Sequence, residues 1–64
     1  MNNYTAHYIS YGSSGSKSVK AASASDARSM VESSGATVYE VSGPEGKIRF
    51  MSYTEACEIQ KHRR

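Results

Sequence analysis

Apolar and polar positions along this chain change rhythm several times, and each change marks an element. Residues 4–11, Tyr-Thr-Ala-His-Tyr-Ile-Ser-Tyr, are rich in aromatic and β-branched side chains, which suit a pleated strand. Alternation puts Tyr4, Ala6 and Tyr8 on one face and Thr5, His7, Ile9 and Tyr11 on the other. Neither set is purely apolar, so the pattern leaves the inward face open. Gly12-Ser-Ser-Gly-Ser16 has the composition of a flexible loop. Residues 17–22 can return as a second strand through Val19 and Ala21. The expectation is a hairpin with a loose five-residue tip.

The period then lengthens. Ala27, Met30, Val31 and Ser34 follow the i, i+3, i+4, i+7 spacing of a helix with one buried stripe, while Arg28, Ser29 and Glu32 lie off it. Ser23 or Ser25 can cap the start, and Asp26 can meet the free amides of the first turn. Arg28 and Glu32 are spaced to pair for about 0.3 kcal/mol. Gly35 suits the left-handed position after a last turn. The spacing predicts a helix over 24–34. Residues 37–42 read as a strand, Gly43-Pro-Glu-Gly46 as a turn, and residues 47–53 as the return strand. In that strand Ile48 and Phe50 face inward, and Lys47, Arg49, Met51 and Tyr53 face outward. Ser52 with Glu55 has the form of a capping box. It predicts a short terminal helix from residue 54, docked by Ala56 and Ile59 with Cys57 beside them, and the alternative is a continued edge strand.

These elements predict an α+β fold: an antiparallel sheet of about four strands in the order β-β-α-β-β, packed by one central helix, with a short C-terminal helix. The central helix should lie across one face, leaving the other open to solvent or to a partner. There is no internal repeat. With 64 residues the chain is read as one small binding domain spanning 1–64. A domain of this size buries only about 60% of the surface its unfolded chain exposes, so its stability should be marginal.

Composition narrows the chemistry. The single cysteine, Cys57, rules out an internal disulfide and suits a reducing compartment, so the expected location is the cytoplasm. Cys57, His7 and His62 lack the paired spacings of a zinc site, and no metal or cofactor is expected. Nothing approaches the ~20 apolar residues of a membrane span. The N-terminus lacks the basic start and apolar run of a signal peptide, so the mature chain is expected to begin at Met1.

No reactive constellation emerges either. His7 reads as a strand histidine satisfied by a neighbour or by water. The many serines make chance nucleophile pairings uninformative. Cys57 and His62, at i, i+5, point about 140° apart on a helix. Gly12-Ser-Ser-Gly15 lacks the lysine and the strand-loop-helix setting of a phosphate loop. The chain is therefore read as a non-enzyme with no small-molecule substrate.

The formal charge is only +2, but its placement is informative. Lys17 and Lys20, then Lys47 and Arg49, then Lys61-His62-Arg63-Arg64 put cations at the ends of elements. Tyr4, Tyr8, Tyr11, Tyr39 and Tyr53 all fall on or beside predicted strands. Tyrosines beside cations on a sheet can stack bases and neutralise phosphates, or they can anchor a protein interface. Two or three of the five are expected to be structural, since tyrosine also supplies core bulk in a chain without tryptophan. The candidate partner-binding set is Tyr4, Tyr8, Tyr11, Lys17, Lys20, Tyr39, Glu40, Glu45, Lys47, Arg49 and Tyr53.

One stretch carries a resemblance. Val19-Lys-Ala-Ala-Ser-Ala-Ser-Asp-Ala-Arg28, a helix end, Gly35-Ala-Thr-Val-Tyr-Glu-Val41, a glycine-bearing turn and Ile48-Arg-Phe50 together resemble small phage-encoded anti-CRISPR proteins that act on type I, multisubunit effector complexes. The likeness covers about residues 4–53. It implies an inhibitor in the host cytoplasm that binds a guide-loaded surveillance complex and blocks target-DNA binding without doing chemistry. Mimicry of DNA by net charge does not fit a chain of +2. A mixed polar interface using the tyrosines, Glu40, Glu45 and the cations fits better. Two other readings stay open: a small basic nucleic-acid binder using a Tyr/Lys/Arg sheet face, for which nucleic acid would otherwise be a secondary contact, and a self-associating protein pairing through edge strands.

Overall fold

A computed structural model describes residues 1–62. The elements are β1 (Asn2–Ser10), β2 (Ser13–Ala21), α1 (Ala24–Glu32), β3 (Thr37–Gly43), β4 (Gly46–Arg49) and α2 (Tyr53–Lys61). The strands form one antiparallel sheet in the order β2-β1-β3-β4. This is the expected α+β arrangement, with one central and one terminal helix.

The first hairpin is tighter than its composition predicts. Tyr11 and Gly12 both have positive φ, 51° and 82°, and are the only two residues between the paired Ser10 and Ser13. Two left-handed residues in a row match the right-handed twist of the flanking strands and close a hairpin in two residues. The serines expected in a loop therefore belong to β2. They pair with β1 from Asn2↔Ala21 to Ser10↔Ser13 without a slip.

The core lies between α1 and one sheet face, which resolves the orientation of β1. Tyr4 and Ala6 point toward α1 and are buried with Ala21, Ala24, Ala27, Val31, Ala36, Val38 and Val41, and Tyr8, Val19 and Phe50 pack against them. Ser23 caps α1, its side chain accepting a hydrogen bond from the Asp26 N–H. The buried stripe of α1 is Ala24, Ala27 and Val31. Met30 was expected on that stripe, but it lies about 90° around the helix from it and is 51% exposed. Ser34 lies past the helix end and is exposed. Small residues on the stripe bring the helix close to the sheet, and Tyr4 supplies the bulk.

Two tyrosines pack over glycines. A Cβ at Gly43 would run into the ring of Tyr4, and one at Gly15, the cross-strand partner of Tyr8, would sit 3.0 Å from the Tyr8 hydroxyl oxygen. Each bare glycine makes room for an aromatic ring on the same sheet face.

A bulge sits in β3. His7 pairs with Glu40 and Tyr8 with Val38, which leaves Tyr39 as the extra residue. The insertion lets Val38 and Val41, three positions apart, both reach the core. The Glu32 carboxylate of α1 accepts from both the Val38 N–H at 3.2 Å and Arg28 Nε at 3.3 Å, and Arg28 lies 4.7 Å over the Phe50 ring. The predicted pair Arg28–Glu32 thus also ties the helix to the start of β3.

The return strand is shorter than expected. It ends at Arg49, after which the Phe50 and Met51 N–H groups both donate to the Tyr39 carbonyl. Ile48 lies opposite Val41 at the sheet edge, beyond the cover of α1, and is 39% exposed rather than buried. Residues 50–52 lead into α2 through the predicted capping box of Ser52 and Glu55. The terminal segment is therefore helix, not strand.

Candidate binding surface on the uncovered half-sheet

The second sheet face is divided in two. α2 packs on β1 and β3. It buries Ala56 completely and covers the end that carries Ile9 and Thr37. Ile59, expected to dock the helix, is 42% exposed. The docking role falls instead to Gln60, one turn after Ala56. Gln60 Nε2 donates to Thr37 Oγ1 at 2.6 Å and to the Gly35 carbonyl at 3.2 Å, and Oε1 accepts from the Tyr11 N–H at 3.4 Å. One amide thus joins α2, the α1–β3 connection and the first hairpin.

The other end of this face is uncovered, so the face is half open rather than fully open. Strand register and alternation assign its residues: Ser16, Ser18 and Lys20 from β2, Asn3, Thr5 and His7 from β1, Glu40 and Ser42 from β3, and Lys47 and Arg49 from β4. Arg49 Nε lies 3.6 Å from Glu40 Oε1. Ser42 Oγ and His7 Nε2 lie 3.5 Å apart. The Tyr39 ring stands 6.3 Å from His7 and meets Tyr53 edge-on at 5.4 Å, forming an aromatic wall where the uncovered half meets α2. The surface is polar, and four of its ten side chains, Thr5, Ser16, Ser18 and Ser42, are short hydroxyls. Among the described residues its three cations stand against one carboxylate, Glu40, whose pairing with Arg49 leaves Lys20 and Lys47 in excess on this face.

Of the residues expected to bind a partner, Lys20, Tyr39, Glu40, Lys47, Arg49 and Tyr53 come together on or beside this half-face. The other five do not. Tyr4 is 1% exposed beneath α1, so it cannot serve as a surface contact. Its hydroxyl donates to Glu45 at 3.2 Å. Burial, reinforced by the Glu45 carboxylate, raises the Tyr4 pKa above the usual tyrosine value. Glu45 is thereby committed to the β3–β4 turn. Tyr8 is half-buried over Gly15. Tyr11 is 88% exposed, but at the far hairpin tip. Lys17 pairs with Ala6, so it belongs to the α1 side of the sheet.

His7, Ser42, Thr5 and the β2 serines were not picked out from the sequence. Alternation would have placed them had the two-residue turn been recognised, because the turn fixes which serines share a face with His7. At the C-terminus, Lys61 and His62 lie 3.5 and 3.9 Å from the carboxylate of Glu58. Arg63 and Arg64, the end of the predicted basic tail, lie outside the described residues. Among the described residues, no helix is long and apolar enough to cross a membrane.

No protein-family model matches the chain, and no curated protein or solved structure matches it either.

Proposed function

We propose that this protein is a non-enzymatic binding domain whose uncovered half-sheet docks on an anionic macromolecular surface. The carrying observation is that Lys20 from β2 and Lys47 and Arg49 from β4, the two edge strands, flank one face whose single acid among the described residues, Glu40, is already paired with Arg49. Short serine and threonine side chains keep the face flat and supply hydroxyl donors beside the cations. α1 and the small core hold the sheet from behind.

The partner class implied by the sequence resemblance, a guide-loaded type I CRISPR effector, presents both protein and nucleic-acid phosphate. The proposal for that class is occlusion of its DNA path. Its support is the likeness over residues 4–53 together with the basic face. A preassembled effector should co-elute with the wild-type chain and lose target-DNA binding, and Lys20→Glu/Lys47→Glu/Arg49→Glu should do neither. Failure of the wild-type chain to co-elute with any type I complex, or to protect phage in a plaque assay, removes this partner.

A second reading is favoured by Tyr39 and Tyr53 beside Arg49, an arrangement suited to stacking bases next to phosphate contacts. It predicts affinity for bare single-stranded DNA or RNA that falls steeply between 50 and 200 mM salt. Fluorescence anisotropy with labelled oligonucleotides decides it, and no binding at low salt excludes it.

A further inference from the structure

The face is not the only unsatisfied surface of this sheet. β2 is its outermost strand on one side, and no strand among the described residues pairs with its outer edge. It runs nine residues, Ser13 to Ala21, and pairs with β1 along all of them without a bulge. A strand bonded on one side leaves alternate N–H and C=O groups pointing outward on the other. Natural sheets usually shield such an edge by shortening it, bulging it, or placing proline or lysine on it. This edge is long, regular and free of proline, and its one shielding device is the pair Lys17 and Lys20, which repels another basic strand but not an acidic one. Six of its nine residues, Ser13, Ser14, Gly15, Ser16, Ser18 and Ala21, have side chains too short to cover the backbone. The opposite edge differs: β4 spans only four residues and is bounded by the Pro44 turn and by the departure toward α2.

We infer that the outer edge of β2 accepts an extended acidic segment of a partner protein as a fifth strand. Charge selects this occupant over a second copy of the chain. β2 carries Lys17 and Lys20 and no acid. Full-length antiparallel pairing of β2 with its own copy aligns residue 13 with 21 and therefore Lys17 with Lys17. Parallel pairing in register also puts like beside like. Like charges directly opposite one another destabilise a sheet pair. A strand with carboxylates three residues apart instead meets both lysines, one on each face of the sheet, because positions 17 and 20 have opposite parity. Main-chain hydrogen bonds would supply affinity, and the two ion pairs would set register. The inference rests on the backbone edge and on Lys17, which the half-face reading does not use, and on Lys20, which the two share.

The test is a titration of the 15N-labelled full chain with a blocked synthetic peptide, Thr-Val-Glu-Val-Thr-Glu-Val-Thr, at low ionic strength. Amide shifts should concentrate in residues 13–21. The same peptide with lysines in place of its glutamates should bind at least tenfold more weakly. The exchange Lys17→Glu/Lys20→Glu should reverse that preference. Both lysines are exposed, so the variant should keep its dispersed spectrum. Should it fail to fold, the preference of the wild-type chain for the acidic peptide still decides. Equal binding of both peptides, no shifts in β2, shifts confined to the surroundings of His7 and Arg49, or a dimer by light scattering would each overturn the inference. Oligonucleotide binding is read on the wild-type chain and on Lys17→Glu alone, which leaves the half-face cations in place, so the two ideas fail independently.

Discussion

Replacing Gly43 with alanine drives a methyl group into the Cδ1–Cε1 edge of the Tyr4 ring. The backbone does not oppose the change, since Gly43 is not among the glycines with positive φ. Where space allows, such a substitution stabilises by about 0.4–1 kcal/mol through the unfolded chain. Here the sign should reverse. Tyr4 is 1% exposed, and its hydroxyl is held by Glu45, so the ring has no free direction in which to retreat. Overpacking of this kind costs about 1–3 kcal/mol. A domain of this length is stable by roughly 3–10 kcal/mol, at about 0.05–0.15 kcal/mol per residue. A loss of about 2 kcal/mol is then a large share of the total and should lower Tm by roughly 8–16 °C. Urea and thermal denaturation followed by circular dichroism would measure it. The decisive comparison is the double-mutant cycle with Tyr4→Leu, because removing the ring should make Gly43→Ala neutral or stabilising. A destabilisation below about 0.5 kcal/mol, or the same loss in both backgrounds, would refute the argument.

Three further outcomes are expected. Gln60→Ala removes the hydrogen bonds to Thr37, Gly35 and Tyr11 and should cost about 1–3 kcal/mol in denaturant melts, with amide protection falling first in α2. Tyr11→Asn should raise stability by about 0.5–1 kcal/mol, because asparagine tolerates the φ of 51° that tyrosine adopts at some cost; an unchanged Tm would count against the strain. The raised pKa of Tyr4 gives a signed pH dependence. Its neutral form is the one the fold prefers, so the stability it contributes is complete below the unfolded tyrosine value of about 10 and is lost as pH rises through the higher folded value. Tyr4→Phe should flatten that alkaline loss, and superimposable stability profiles above pH 10 would show that Tyr4 does not carry it.

Much of the architecture was legible in local residues. The central helix, which ends at Glu32 rather than at the expected residue 34, its serine cap, the Gly-Pro-Glu-Gly turn and the Ser52–Glu55 box each follow from chemistry within a few positions. Legibility failed where two local rules competed. The serine run has loop composition, but a left-handed Tyr11-Gly12 pair closes the hairpin first and draws the serines into β2. Met30 and Ile59 carry the larger apolar side chains, yet Ala27 and Ala56 are buried, because close helix-to-sheet packing selects small residues. The candidate site was legible in part. The cations and Tyr39 were named, but Tyr4 and Tyr8 could not be told from surface tyrosines until their glycine partners across the sheet were known.

The sequence by itself determined the element order, the α+β class and the supply of tyrosines and cations, since periodicity, caps and turns are local properties. Tertiary structure decided which of those residues share a surface. The bulge at Tyr39 and the docking of α2 through Gln60 cover one half of the second face and leave Lys20, Lys47 and Arg49 on the other. Those choices depend on which strands become neighbours and on which side chains fill the space between them, and neither is encoded within any one segment.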